Sequence, residues 1–173
     1  MAEELEIERK FLVEFPDLKK LDVKRKISII QTYLHRGKND SQRRVRRLEE
    51  NGNVFYTYTE KIFISPTTRK ETEYDISCED YEKLLDDADK TLTPVDKVRF
   101  CFKYRNQLFE LDTYPFSDKL AVMEIELDST GQVIDFPDSV RVIKDVTADS
   151  RYSNAALSAA GVFPDVQPDD RSS

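Results

Sequence analysis

Apolar and polar residues alternate with period two along much of this chain, the spacing of strands that turn one face to a core and the other away from it. The pattern predicts strands over 4–13, about 26–35, 41–49, 53–63, 69–76, 94–104, 106–114, 119–128 and 140–147. Turn signals separate them: Gly37-Lys38-Asn39-Asp40, Ser129-Thr130-Gly131, and an Asn51-Gly52 pair of the kind that closes a hairpin. Helical spacing is confined to three places. Residues 77–89 begin with Ser77 as an N-cap and set Tyr81, Leu84, Leu85 and Ala88 on one face; residues 153–160 end at Gly161; a short turn is expected around 16–21. The expected fold class is α+β, mostly β: an antiparallel, eight-stranded closed barrel with a few covering helices. A single domain is expected over 1–163, followed by an acidic, apolar-poor and disordered tail over 164–173.

Composition changes this picture in one respect. At 173 residues the chain suits one domain with a proper core, but 35% of it is charged, well above the usual quarter. The net charge of −7 and pI near 4.9 disfavour a general nucleic-acid or anionic-membrane binder. Cys78, Cys101 and His35 are the only cysteines and histidine, and their spacing makes no zinc site. With no apolar run near the roughly 18 residues of a membrane span, and an acidic N-terminus unlike a signal peptide, the expectation is a soluble cytoplasmic protein.

The surplus charge follows the strand period. Glu6, Glu8 and Lys10 share a face; Arg44 and Arg46 flank Val45; Arg69, Glu71 and Glu73 alternate in RKETE; Lys97 and Arg99 flank Val98; Glu110 and Asp112 flank Leu111; Glu124 and Glu126 flank Ile125. The opposite faces carry Ile7 and Phe11, Phe100 and Phe102, Phe109 and Leu111, and Met123, Ile125 and Leu127. An ordinary barrel would bury the apolar set and leave the charged set in water. The charges, however, sort into carboxylate pairs and cation pairs. Like charges two strand rises apart, about 6.6 Å, repel by roughly 2–3 kcal/mol at an effective dielectric near 20, so something should neutralise them. If helices and a partner subunit cover the apolar faces, the charged faces line the barrel. Such a lumen would offer cations to a polyanion and carboxylates to a hard divalent cation. Metal plus polyphosphate satisfies both; sugar phosphates and nucleotides stay open on charge alone.

EIERK at 6–10 resembles the ExExK signature of the CYTH superfamily, the triphosphate tunnel metalloenzymes, and the resemblance continues through QTYL at 31–34, RVR at 44–46, TEK ending at Lys61, RKETE at 69–73, DKVR at 96–99, LFELD at 108–112, MEIEL at 123–127 and DVTADSRYSNAAL at 145–157. The resemblance implies a tunnel that hydrolyses or cyclises triphosphates with Mg²⁺ or Mn²⁺. By that resemblance Lys10, Arg44, Arg46, Lys61, Lys97 and Arg99 hold phosphate oxygens, with Arg69 and Arg151 as further contacts. Glu6, Glu8, Glu124 and Glu126 hold metal, and Glu71, Glu73, Glu110 and Asp112 are ligands or partners of the cations. Tyr33 resembles a tyrosine paired with the signature lysine, here Lys10, and these two stand as the catalytic pair. The implied chemistry is in-line attack of water on a terminal phosphoryl group, with the proton acceptor open between a carboxylate, a metal-bound hydroxide and the Lys10–Tyr33 pair. The expected substrate is inorganic tripolyphosphate, because no cluster for an organic half is apparent; nucleoside or thiamine triphosphatase, adenylate cyclase and a non-catalytic polyphosphate-binding module are the alternatives. Outward apolar faces would suit a homodimer.

Overall fold

A computed structural model describes residues 2–166, with side chains from Glu6 onward. The period-two segments form nine strands: β1 (Ala2–Glu14), β2 (Asp22–Tyr33), β3 (Gln42–Glu50), β4 (Asn53–Phe63), β5 (Thr68–Ile76), β6 (Val95–Tyr104), β7 (Gln107–Thr113), β8 (Leu120–Glu126) and β9 (Val142–Asp145). They pair in the order β5-β4-β3-β2-β6-β7-β8-β1-β9, and an added β1–β5 pairing closes the first eight into an antiparallel barrel. Closure leaves no free edge among those strands. The hairpin between β3 and β4 turns at Asn51 and Gly52, both with positive φ, the backbone that an Asn-Gly pair supplies at little cost.

β1 is the stave that closes the ring. One edge pairs with β8, Glu8 against Glu126 through Glu14 against Leu120. The other edge is shared, first by β5, up to Ile7 against Thr68, and then by β9 from Phe11 against Asp145. Between those partners the backbone stays satisfied, as Glu8 N donates to Thr67 O at 2.9 Å and Lys10 N to Thr147 Oγ1 at 3.0 Å.

The largest outer core joins Phe11, Val13, Phe102, Phe109, Leu111, Ala121, Met123 and Ile125 to Ile134, Phe136 and Val140. Its cover is therefore the chain's own irregular segment before β9, with Leu18, Leu21 and Val23 beside it. The sequence-based expectation that helices cover the apolar faces is corrected on this side, where an irregular segment does so. Phe136 meets Phe11 edge to face at 4.9 Å, and each such burial contributes about 1.5–3 kcal/mol.

The helices do cover two other places. α1 (Cys78–Leu84), capped by Ser77 Oγ accepting from Asp80 N, lays Tyr81 on Leu34 and Val45. It stops short of residue 89, because a 3-10 turn over Leu85–Asp87 follows and Ala88 bridges to Leu34; Asp86 and Asp87 also put negative charge at the end of a helix that favours cations. α2 (Asn154–Ala160), capped by Ser153 and ended by Gly161 at φ 67°, packs Leu157 with Leu12, Tyr33, Val95, Tyr114, Val122 and Tyr152 at one end of the barrel. Residues 16–21 hold a 3-10 turn, Leu18–Lys20. Of the tail expected to be disordered, residues 167–173 lie outside the described residues, while Val166 packs against the α2 cluster.

Candidate active site

Residues opposite one another in a ladder project to the same side of the sheet, so the registers define the lining of the barrel. Around the ring Glu6 faces Arg69, Glu71 faces Lys61, Glu73 faces Thr59, Thr59 faces Arg44 and Thr57 faces Arg46. The series continues with Arg46 opposite Gln31, Arg99 opposite Asp112, Glu110 opposite Glu124, Lys10 opposite Glu124 and Glu8 opposite Glu126. Every predicted charged site residue except Arg151 thus shares one face, the face opposite the outer core. Glu6 and Glu8 are only 15% and 12% exposed, which excludes a merely solvated β1 face.

The two sides of the lumen differ. On one side each cation has a carboxylate. Lys97 Nζ donates to Asp112 Oδ2 at 2.8 Å, and the Arg99 guanidinium grips both oxygens of Asp112 at 2.8 and 3.0 Å and reaches Glu110 at 3.1 Å. Arg69 lies 2.7 Å from Glu8 and 3.5 Å from Glu6; Lys61 lies 3.5 Å from Glu6 and 3.4 Å from Glu71. On the β3 wall, Arg44 and Arg46 are buried, yet among the described residues Arg44 Nε has no hydrogen-bond partner and Arg46 meets only an amide, Gln31 Oε1 at 2.6 Å. Glu6 Oε1, Arg69 Nε and Glu71 Oε2 meet their neighbours only as ion pairs at 3.4–3.5 Å, without a hydrogen bond, and Thr57 Oγ1 of the lumen has no hydrogen-bond partner among the described residues. A buried polar group left without a partner costs about 1–3 kcal/mol.

Titration follows from this crowding. Burial pushes Lys97 down to about 7, with Arg99 and Arg46 adding to it against the pull of Asp112. Burial, Arg44 and Arg99 push Arg46 down to about 9. Burial raises Glu8, as does Glu124 beside it. Burial and the neighbouring Glu71 and Glu8 lift Glu6 to about 9 despite Lys61. Glu71, whose burial is outweighed by Glu6, Lys61 and Arg44, is held near 2, so this close carboxyl pair keeps one proton at neutral pH. Burial of Glu124 is likewise outweighed, here by Lys10, Arg99 and Lys97, and it falls to about 2.

The described residues contain no group of three carboxylate, thiol or imidazole side chains at metal-holding spacing. The donors still suit a hard divalent cation. Mg²⁺ typically takes one or two carboxylates and completes its shell with water and substrate phosphates, and the mutual repulsion of Glu8 and Glu124 is what a cation between them would relieve. Glu6 has a buried oxygen that makes no hydrogen bond on the same side, and Glu126 is exposed, two residues along β8 from Glu124.

Two predicted positions are corrected. Tyr33 is not the partner of Lys10: its hydroxyl accepts from Gln31 Nε2 at 2.8 Å, whereas Lys10 Nζ lies 3.4 Å from Tyr152 O and 3.8 Å from Glu124. Tyr33 belongs to the apolar cluster under α2, and burial raises its hydroxyl pKa. Arg151 is not among the lumen cations either; it is 59% exposed and ion-paired with Asp149 at 2.6 Å, because it sits in a 3-10 turn outside the barrel strands. Sequence reasoning missed Gln31, Thr57 and Thr59, whose shared parity with Tyr33 and Lys61 is the signal that marks them as lining residues. An open cavity of about 650 Å³ on the outer wall, lined by Arg9, Thr67, Asp145, Thr147 and Ser150 among others, contains none of the predicted site residues.

Comparison with known proteins agrees with the geometry. The family model described as the CYTH domain matches residues 4–142. No curated protein matches the chain. Among solved structures, that of the inorganic triphosphatase NE1496 is 30% identical, with 88% of this chain and 93% of that chain covered at a TM-score of 0.51. A second structure, of the hypothetical protein NE1496, gives 30% identity over 92% of this chain and 99% of that one, with a TM-score of 0.52. The PH1819 protein from Pyrococcus horikoshii OT3, 22% identical over 72% of this chain and 80% of that chain, shares the fold at a TM-score of 0.57. No helix among the described residues is long and apolar enough to cross a membrane.

Proposed function

This chain belongs to the CYTH domain family, and from that premise we propose that it is a divalent-metal-dependent triphosphatase that releases the terminal phosphate of inorganic tripolyphosphate inside the barrel. The family implies a divalent metal ion; the proposal specifies Mg²⁺ or Mn²⁺. A structural relative at 30% identity is named an inorganic triphosphatase, which supports the reaction class. The observation that carries the reading is the β3 wall, where two buried arginines make no direct ion pair with a carboxylate among the described residues, Glu71, Glu73 and Asp112 acting on them only from a distance, while carboxylates crowd the β1 side. A buried cation left in that state calls for an anion that the protein does not supply.

In this reading Arg44 and Arg46 take phosphate oxygens directly, since guanidinium N–H groups match phosphate geometry. Lys61, Arg69, Lys97 and Arg99 are held extended by their carboxylates, so they present charge without having to be ordered when substrate arrives. Glu8 and Glu124, with Glu6 and Glu126, would hold the metal, which when bound neutralises phosphate oxygens and favours attack on the terminal phosphoryl group. The low residual exposure of these walls limits water, and charge interactions strengthen accordingly. Lys10, beside Glu124, stands between the carboxylate and cation sectors and serves the terminal phosphate.

The test is phosphate release from tripolyphosphate, ATP and thiamine triphosphate with Mg²⁺, Mn²⁺ or chelator. Tripolyphosphate turned over fastest, with no release under chelator, is the expected result. Faster turnover of ATP, or cyclic nucleotide as product, would replace the proposed substrate by a nucleotide. Tight binding without release from any of the three would leave a polyphosphate-binding module.

A further inference from the structure

Among the described residues, Arg46 is a lumen cation held by a neutral amide, whereas Lys61, Arg69, Lys97 and Arg99 are held by carboxylates. The geometry points to Gln31 as a positioning residue for Arg46, one that aims the guanidinium at a polyanion while leaving its full charge available. This rests on the reading of the lumen as a polyphosphate site.

Gln31 is fully buried, opposite Arg46 in the β2–β3 ladder. Arg46 Nε–H can only donate, so it fixes the carbonyl oxygen of the Gln31 amide on its side, at 2.6 Å. The amide nitrogen is then turned to Tyr33, whose hydroxyl accepts at 2.8 Å. Tyr33 is itself immobilised among Leu12, Val95, Tyr114 and Val122. A rigid apolar anchor thus orients an amide, and the amide orients a guanidinium through Nε. Both Nη nitrogens are left without a carboxylate partner among the described residues. The contrast with Arg99 is chemical. Arg99 is clamped by the Asp112 carboxylate on Nε and Nη2 and is locally neutralised; Arg46 is clamped by a dipole and keeps its charge. A carboxylate in place of Gln31 would fit the same space and hold the arginine equally well, but it would cancel the charge that attracts substrate. Position and charge can therefore be separated by one near-isosteric change.

Tripolyphosphate affinity is measured by titration calorimetry with chelator present, so that turnover does not intervene, alongside the melting temperature. Gln31→Glu is expected to weaken binding tenfold or more with a melting temperature equal to or above the wild type, because the buried guanidinium gains a counter-ion. A purely structural glutamine would not give that opposition of signs. In an Arg46→Gln background the same change is expected to alter affinity less than twofold. Tyr33→Phe, which removes the amide's acceptor without adding charge, is expected to weaken binding about threefold, again only when Arg46 is present. The inference is overturned by wild-type-like binding in Gln31→Glu, or by an equal loss with and without Arg46; should that variant not fold, the Tyr33→Phe pair decides on the same criterion. Absence of tripolyphosphate binding by the wild type would overturn the polyphosphate reading as well, so the two failures are distinguishable.

Discussion

Replacing Asp112 by asparagine would remove one charge and strand two. Asp112 and Lys97 have no exposed side-chain surface, and Arg99 shares the same carboxylate. Breaking such a buried pair from one side costs about 3–5 kcal/mol, so Asp112→Asn is expected to lower stability by that amount in urea denaturation. Lys97 also sets a pH dependence. Its folded pKa, about 7, is depressed from the ordinary lysine value of 10.5, so between those values the unfolded chain binds more protons than the native one. This group's penalty on folding is therefore full below 7 and relaxes as pH rises from 7 to 10.5. A bound anion favours charged Lys97 and Arg46, so binding of metal-free tripolyphosphate at about pH 8 is expected to take up protons. Calorimetry in buffers of differing ionisation enthalpy reads that uptake directly; proton release would contradict it. At this scale the charged residues were legible because period two marks them, as at Lys97 and Arg99 or Glu124 and Glu126. Gln31 was not, since an uncharged amide in an alternating strand looks like any polar position until its partner across the ladder is known. Arg151 was expected only from the family resemblance, since parity says nothing about a residue in a 3-10 turn.

At the scale of elements, the strands were the most readable part of the chain. β3, β4 and β5 fall within a residue or so of their expected limits, because alternation, Asn51-Gly52 and the charged pairs all agree on them. Harder to read was what covers the sheet. The segment carrying Ile134, Phe136 and Val140 has no period of its own, so its role as a cover on the β1–β8–β7 face could not be separated from that of a surface loop. The barrel end under α2 is a clearer case of sequence signals meeting tertiary need, with Ser153 and Gly161 capping a seven-residue helix too short to stand alone. Its stability comes from Leu157, which is fully buried. Leu157→Ala is expected to cost about 2–5 kcal/mol, and Ser153→Ala about 1 kcal/mol, in equilibrium unfolding. The closed-end cluster includes Tyr33, so the leucine variant should also weaken tripolyphosphate binding, whereas an effect on stability alone would show that the anchor tolerates loss of its cap.

Across the whole molecule, the net charge of −7 coexists with a lumen that concentrates cations, and the two are reconciled by pairing most lumen cations with lumen acids. Charge that this pairing compensates only in part is useful but destabilising. Glu8 illustrates this: burial and Glu124 raise its pKa, and a raised carboxyl pKa means that its ionised form weakens the fold increasingly as pH rises above the unfolded value. Glu8→Gln is accordingly expected to raise the metal-free melting temperature at about pH 8, and to shrink the further rise that Mg²⁺ gives the wild type. A lower metal-free melting temperature would mean that the Arg69–Glu8 contact outweighs the repulsion. The arrangement of β1 has one more consequence, for the order in which the chain acquires its shape. β2–β5 and β6–β8 are runs of neighbouring hairpins, but β1 finds its partners at residues 68–73, 120–126 and 142–145. During synthesis β1 must wait for strands made long after it, its charged side held out of place until then. Closure of a ring through such distant contacts is slow, on the order of milliseconds to seconds. Moving β1 to follow α2 by circular permutation, beside its partner β9, is expected to speed refolding, with the same ring of charges at the end.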